Sequence, residues 1–124
     1  MIEILAVGIG GFIGSCLRYG ANKLLRFADF PISTLIVNIV AGLFIGIIIG
    51  YERQASPLND TTRLFLTTGL LGGLSTFSAF SIETVNLFSN GKYIMGTANI
   101  AFNVVFSILG VLIGMYITKM LIAK

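Results

Sequence analysis

Residues 69–81 read GLLGGLSTFSAFS and lie in the middle of an apolar segment that is long enough to cross a membrane. A pair of glycines that can interrupt a helix is followed at once by hydroxyl side chains and two phenylalanines. Irregular backbone at this depth is tolerated only where protein buries it or water reaches it. The stretch therefore predicts a functional site inside a membrane.

The composition is typical of an integral membrane protein. The chain has 124 residues, of which 56% are hydrophobic and 10% are charged, and its mean hydropathy is +0.96. The net charge of +3 comes without a basic cluster, which argues against nucleic-acid binding. The chain contains no histidine and a single cysteine, Cys16, so an internal disulfide and the usual His/Cys metal sites are excluded. We find no nucleophile–base pair in the sequence and do not expect an enzyme.

Charges and turn formers divide the single domain, residues 1–124, into four apolar segments. The segments cover roughly residues 2–25, 32–51, 61–88 and 93–122. The third is too long for a straight helix, because about 28 residues at about 1.5 Å each exceed a hydrocarbon core of about 30 Å. A break at the pair Gly72 and Gly73 would absorb the excess. We therefore predict an all-α membrane protein with four transmembrane helices, the third broken in mid-membrane.

The positive charges give no clear orientation to these helices. With four spans, one side of the membrane carries four cations and the other carries three or four, so the positive-inside rule has almost nothing to act on. Such a chain can insert both ways and pair as an antiparallel dimer, although a few charges could still fix one orientation. The cations of one side are Arg53, Arg63, Lys119 and Lys124, and those of the other are Lys23, Arg26 and Lys92, with Arg18 close by.

Glycines recur at a spacing of four in three of the helices. Stripes of this kind let helix backbones approach closely, since lipid offers no hydrophobic drive for helix association. They predict close packing and an oligomer. The stripes consist of Gly10 with Gly14, of Gly42, Gly46 and Gly50, and of Gly110 with Gly114.

Two stripes of polar side chains also follow helical spacing. Thr34 and Asn38 share a face of the second helix, and Asn99, Asn103 and Ser107 share a face of the fourth. Polar groups inside a membrane are costly and need a reason. They either line a path filled with water or ions, or form hydrogen bonds that hold the helices together. Amide and hydroxyl donors without charge suit an anion that must enter and leave again.

The phenylalanines and two charges near them are further candidates. Phe77 and Phe80 are three residues apart, so their rings face one side and can present positive edges to an anion or negative faces to a cation. Glu83 is a candidate proton site, a structural partner of a backbone end, or a surface residue. Arg18 could attract anions at a vestibule or extend to lipid phosphates.

Three ordered motifs resemble those of the small fluoride channels called Fluc or CrcB. Residues 10–19, GGFIGSCLRY, look like the pattern of the family's first helix. Residues 31–38, PISTLIVN, resemble its second pattern, and residues 72–81, GGLSTFSAFS, with Glu83 after them, resemble its third. The resemblance covers essentially the whole chain.

This resemblance implies an antiparallel, dual-topology homodimer in the cell inner or plasma membrane, with two narrow pores. It implies passive export of fluoride that protects the cell from fluoride toxicity. Backbone carbonyls matching Gly72 and Ser75 would hold one structural sodium ion at the dimer axis, and Arg18 would be a vestibule residue. The residues predicted to form the fluoride pathway are Phe77, Phe80, Asn38, Thr34, Ser78, Ser81, Asn103 and Ser107.

The chain departs from the family pattern at Ser33, Ser75 and Ala79, and Ala79 deletes a hydroxyl that some relatives place beside the pore. Two alternatives remain open on the residues alone. A small proton-coupled multidrug exporter needs a carboxylate deep in the first helix, where this chain has only Glu3 at the edge, although Glu83 could replace it. A non-transporting assembly subunit would explain the glycine stripes but not the polar ones.

Overall fold

The chain folds as a bundle of helices, described over residues 1–26 and 28–123 in a computed structural model. Lys124, one of the cations counted above, lies outside these residues. Within them no strand is present, which confirms the predicted all-α class. The elements are α1 (Ile2–Leu24), α2 (Ile32–Gln54), α3 (Asp60–Leu64), a π-helical segment (Phe65–Leu71), α4 (Gly72–Leu74), α5 (Phe77–Ser89) and α6 (Tyr93–Ile122).

Four stretches of helix are long and apolar enough to cross a membrane. They are α1, α2, the composite third span Asp60–Ser89 and α6. Only 11% to 33% of the residues in their most apolar windows are buried within the subunit. Most apolar side chains therefore point outward, where lipid or another protein chain must cover them. The protein is a multi-pass membrane protein.

The glycine stripes of α2 and α6 pack against each other inside one subunit. A Cβ atom built at Gly42 would lie 2.6 Å from the carbonyl oxygen of Ser107, and one at Gly110 would lie 3.0 Å from that of Ile39. At Gly46 it would collide with the carbonyl of Val111. Any side chain at these positions would force the helices apart and remove the van der Waals contacts that hold them together in lipid.

The stripe of α1 packs in the same way against the third span. A Cβ atom at Gly10 would lie 2.8 Å from the amide nitrogen of Leu70, and one at Gly14 would lie equally close to that of Leu74. Gly73 faces α1 from the other side, 2.7 Å from the carbonyl oxygen of Gly11 by the same measure. The glycines thus bind α1 to the third span and α2 to α6.

The third span is interrupted as predicted, but not at the glycine pair. Gly72 has helical angles, φ −65° and ψ −36°. The chain becomes extended at Ser75, with φ −76° and ψ 156°, and at Thr76, with φ −153° and ψ 119°. We call Ser75–Thr76 the interruption. It lies about 20 Å along the axis from the end of α5, which has 13 residues, at about 1.5 Å per residue.

Side-chain hydroxyls explain the position of the interruption. Ser75 Oγ donates to the carbonyl of Leu71 at 2.9 Å, and Thr76 Oγ1 accepts from the amide of Ala79 at 3.1 Å, which caps the start of α5. Gly73 remains in the helix and packs on α1, where a side chain would collide with the backbone of Gly11. The glycine pair therefore provides close packing, and the hydroxyls that follow it end one helix and begin the next.

Candidate functional site

The side-chain amide of Asn38 binds the interruption from α2. Asn38 Oδ1 accepts a hydrogen bond from the Thr76 amide at 2.8 Å, and Asn38 Nδ2 donates to the Thr76 carbonyl at 3.3 Å. An amide side chain presents the same donor and acceptor as a backbone unit, so it can satisfy both groups of an extended residue in a place without water. Of the two roles that the residues alone left open for Asn38, the structure shows the hydrogen bond between helices, made here to the backbone of Thr76.

A chain of hydrogen bonds continues from Asn38 into α6 and back to α5. Asn38 Nδ2 also donates to Asn103 Oδ1 at 2.9 Å. Asn103 Nδ2 donates to Asn99 Oδ1 at 2.9 Å and to the Asn99 carbonyl at 3.0 Å. Asn99 Nδ2 donates to Thr84 Oγ1 at 2.9 Å, and that hydroxyl donates to the carbonyl of Phe80 at 2.7 Å. These groups bind α2, α6 and α5 to one another.

A groove of about 380 Å³ runs along the subunit beside the interruption. Asn38 and Asn103 contribute to its wall, but the bonds above engage the N–H donors of both amides within the protein. Ser107 lines the groove beyond Asn103, together with Gly42. Its other lining residues are Ala41, Ile45, Ser75, Thr76, Phe77, Phe80, Val104, Ile108 and Val111.

The two predicted aromatic rings meet at this groove. The ring centroids of Phe77 and Phe80 are 5.3 Å apart with planes inclined at 57°, a tilted arrangement of the kind that aromatic pairs prefer. Phe80 is 8% exposed, whereas Phe77 is 78% exposed. One ring is thus part of the core of the subunit, and the other projects from it.

A second cavity, of about 520 Å³, opens at the end of the bundle where α2 begins and α5 ends. We call it the end cavity. Lys23, Arg26 and Lys92 all line it, so the structure brings together the three cations that the sequence assigned to one side. Lys92 lies 3.8 Å from Asp29, and both side chains are largely exposed. Asp29 and Glu83 also line the end cavity, so it carries three cationic and two acidic side chains.

Thr34 and Glu83 face each other at the end cavity. Thr34 is 1% exposed, and its hydroxyl donates to Glu83 Oε1 at 2.7 Å. Glu83 Oε2 is buried and has no hydrogen-bond partner among residues 1–26 and 28–123. Glu83 is therefore hydrogen-bonded to a side-chain hydroxyl and not to a helix end of the backbone, which was one of the three roles considered for it.

The remaining predicted side chains lie close to the interruption but outside both cavities. Ser81 Oγ donates to the carbonyl of Phe77 in its own helix at 2.8 Å, and Ser78 Oγ lies 3.3 Å from Thr76 Oγ1. Arg18 Nε donates to the carbonyl of Gly73 at 3.1 Å. Arg18 is therefore placed against the third span next to the interruption, and not at the end cavity.

The interruption releases two backbone carbonyls from their helical partners. In a continuous helix, the amides of Thr76 and Ala79 would donate to the carbonyls of Gly72 and Ser75. Here they donate to Asn38 Oδ1 and Thr76 Oγ1 instead. Backbone carbonyls are suitable ligands for a monovalent cation. No group of three or more acidic, histidine or cysteine side chains that could hold a metal occurs in the part of the chain that is described.

Sequence reasoning missed Thr76 and Thr84, which hold the two ends of the hydrogen-bond chain. The signal for Thr76 was present, since a threonine just before a helical run is a common cap. Nothing in the sequence marked Thr84, because its role depends on the opposing Asn99.

Comparisons with known proteins agree on one family. The family described as "CrcB-like protein, Camphor Resistance (CrcB)" matches residues 5–115. A protein of Ruminiclostridium cellulolyticum named "Fluoride-specific ion channel FluC" is 45% identical over 122 residues, which are 96% of this chain and 94% of that protein. One of Clostridium novyi with the same name is 46% identical over 96% of this chain and 95% of its own length. "Fluoride-specific ion channel FluC 1" of Methanosarcina acetivorans is 41% identical over 92% of this chain and 88% of its own length.

Proposed function

Since this chain belongs to the CrcB-like family, we propose that it is a fluoride-specific ion channel that lets fluoride leave the cell passively and so protects it from fluoride toxicity. The observation that carries the proposal is the groove at the interruption of the third span, where Phe77 and Phe80 lie beside the hydroxyl residues Ser75, Thr76 and Ser107. Relatives that match almost the full length of the chain are named for this activity.

The groove offers an anion weak, uncharged partners. Fluoride is small and strongly hydrated, so a pore must replace its water with donors. The N–H groups of Asn38 and Asn103 are hydrogen-bonded within the protein. The partners that remain for fluoride are hydroxyls, such as that of Ser107, and the edges of the two rings. No charged side chain is among the described residues that line the groove. Binding is then strong enough for entry and weak enough for release.

The two cavities lie one helical turn apart along the same two helices. On α2, Thr34 lines the end cavity and Asn38 lines the groove. On α5, Glu83 lines the end cavity and Phe80 lines the groove. Steps of four and three residues keep each pair on one helical face. We propose that fluoride passes from the end cavity along this face, past Phe80, into the groove.

We further propose that two oppositely inserted copies form the channel. The groove is open on one side, and Phe77 projects from it with 78% of its surface exposed. A second copy would cover this ring and complete the wall. The described cations also divide almost evenly, with Lys23, Arg26 and Lys92 at one end, Arg18 closer to that end, and Arg53, Arg63 and Lys119 at the other. A two-fold axis in the membrane plane would generate two equal pathways.

A sodium ion at that axis fits the groups present. The freed carbonyls of Gly72 and Ser75 are ligands of the right kind, and two copies would provide four of them. The ion would supply fixed positive charge that lowers the energy of an anion near the bilayer centre without blocking its path. The exposed backbone of Gly72 is accessible to such an ion and to a second copy.

Passive exit is sufficient for protection. Hydrogen fluoride enters acidified cells as a neutral acid and ionises inside, and a membrane potential that is negative inside then drives the anion out. The test is growth of fluoride-sensitive cells that lack a fluoride exporter. We expect expression of this protein to restore growth in millimolar fluoride, and Phe80→Ile produced at the same membrane level to restore it less. Equal growth with and without the protein would contradict the proposal.

A further inference from the structure

We infer that Asn99 is a positioning residue of this channel, which fixes α5 and its two rings against α6 without touching the ion. The inference rests on the proposed function for its effect on fluoride flux. Its structural part, a relay of hydrogen bonds from Asn99 to Asn38, can be tested independently.

Asn99 is separated from both cavities. Its side chain is 0% exposed, and it lines neither the groove nor the end cavity. Of the polar stripe on α6, Asn103 and Ser107 reach the groove and Asn99 does not. A path-lining role, one of the two considered from the sequence, is therefore not available to Asn99. Its hydrogen bonds join α6 to α5.

Every polar group of the Asn99 side chain is engaged. Oδ1 accepts from Asn103 Nδ2 at 2.9 Å, and Nδ2 donates to Thr84 Oγ1 at 2.9 Å. Because Asn103 gives its amide nitrogen to Asn99, its oxygen must face Asn38. Asn38 has the matching orientation, since its nitrogen donates to Asn103 and its oxygen accepts from the Thr76 amide, which can only donate. The Thr76 amide and Asn99 thus hold the two groove-lining amides in one direction from opposite ends of the relay.

Asn99 also holds α5 at a second point. Thr76, at the start of α5, is bound through Asn38, and Thr84, two turns later, is bound directly by Asn99. Phe77 and Phe80 lie between these two points. The Asn99–Thr84 bond is the side-chain hydrogen bond that joins α5 to α6 among the described residues, and without it the rings could shift relative to Ser107. Small displacements of a positioned group are costly wherever function depends on geometry.

Two threonines of this chain provide a matched pair for the test. Thr84 is 7% exposed and Thr118 is 5% exposed, and each hydroxyl donates to the carbonyl four residues earlier at 2.7 Å. Only the hydroxyl of Thr84 also accepts a bond from Asn99. Thr84→Val and Thr118→Val therefore remove the same group from the same kind of site, and only Thr84→Val breaks a bond of the relay.

The experiment compares Asn99→Leu, Thr84→Val, Thr118→Val and the double variant Asn99→Leu/Thr84→Val, each purified as the assembled protein and reconstituted in liposomes. We expect Asn99→Leu to slow fluoride efflux on the order of tenfold and Thr84→Val to slow it less. Thr118→Val should conduct as the unmodified chain does. The double variant should be no slower than Asn99→Leu, because coupled residues are not additive. Equal rates for Thr84→Val and Thr118→Val, or undiminished efflux in Asn99→Leu, would overturn the inference.

A second measurement separates the relay from general damage and from the proposed function. In protein with ¹⁵N-labelled asparagine, the side-chain amide resonance of Asn38 should move in Asn99→Leu and stay in place in Thr118→Val. Asn38 is not hydrogen-bonded to Asn99, so a purely local role would leave the resonance unchanged. An unchanged resonance rejects the relay. If the unmodified chain itself releases no fluoride, the proposed function fails while this measurement still decides the relay.

Discussion

Asn38 and Thr76 share two hydrogen bonds, one from the Thr76 amide to Asn38 Oδ1 at 2.8 Å and one from Asn38 Nδ2 to the Thr76 carbonyl at 3.3 Å. A residue of one transmembrane helix thereby satisfies both backbone groups of the extended residue that interrupts another. Unsatisfied backbone groups are expensive in a membrane, so this pair makes the interruption possible. The groove and its rings depend on it.

Replacing Asn38 by leucine should therefore destabilise the fold as well as the path. Asn38→Leu leaves the buried amide and carbonyl of Thr76 without partners, at a cost of about 2 kcal/mol. We expect a lower melting temperature of the detergent-solubilised protein and the loss of fluoride efflux. Asn86→Leu, an exposed site on α5, is the control and should melt like the unmodified chain. Equal melting of the two variants would show that Asn38 does not support the interruption.

The two rings should matter for conduction and not for assembly. Phe77→Ile and Phe80→Ile each remove a ring edge whose interaction with an anion is worth about 1 kcal/mol, so efflux should fall roughly fivefold in each variant. Phe44→Ile, on α2 and outside both cavities, is the control. Chemical cross-linking should give the same dimer for all three. Undiminished efflux in both ring variants would remove the phenylalanines from the mechanism.

The nearly even division of the cations between the two ends of the bundle predicts that copies of the chain insert into one membrane in both orientations. Reporters fused to the C-terminus, one active in the cytoplasm and one outside it, should both give signal. As a control, Gln54→Arg with Ser56→Arg adds charge at the exposed end of α2 and in the loop after it, and should hold that loop in the cytoplasm. Efflux should then fall, because opposite partners are lacking. A single orientation of the unmodified chain would contradict the antiparallel dimer.

Removal of sodium should destabilise the assembled protein. If the freed carbonyls of Gly72 and Ser75 hold the ion, sodium at a hundred times its dissociation constant stabilises the bound form by about 2.7 kcal/mol. The melting temperature should drop when sodium is replaced by N-methylglucamine and recover when it is restored. Identical melting in the two salts would count against a structural sodium site.

The four membrane helices follow from apolar length, a property that the sequence displays directly. The interruption was also foreseen, but its position was wrong by about three residues, because Gly73 packs on α1 and the hydroxyls of Ser75 and Thr76 end the helix. A glycine serves close packing as well as chain bending, and only the neighbouring helix decides between them.

The roles of the asparagines needed the structure for a similar reason. Helical spacing put Asn99 and Asn103 on one face, yet one is sealed in the core and the other reaches the groove. The direction of each amide depends on partners from two other helices. No pattern within a single helix contains that information. Thr84 was missed because its contribution is to accept a bond from a residue 15 positions away.

Fluoride efflux from liposomes that contain only this protein tests the central claim most directly. Vesicles loaded with potassium fluoride or potassium chloride are diluted into medium without either halide, and valinomycin is added to let potassium follow the anion. We predict rapid fluoride release that begins with valinomycin, and chloride retention over the same period. Retention of all trapped fluoride, or release of both halides at equal rates, would contradict a fluoride-specific channel.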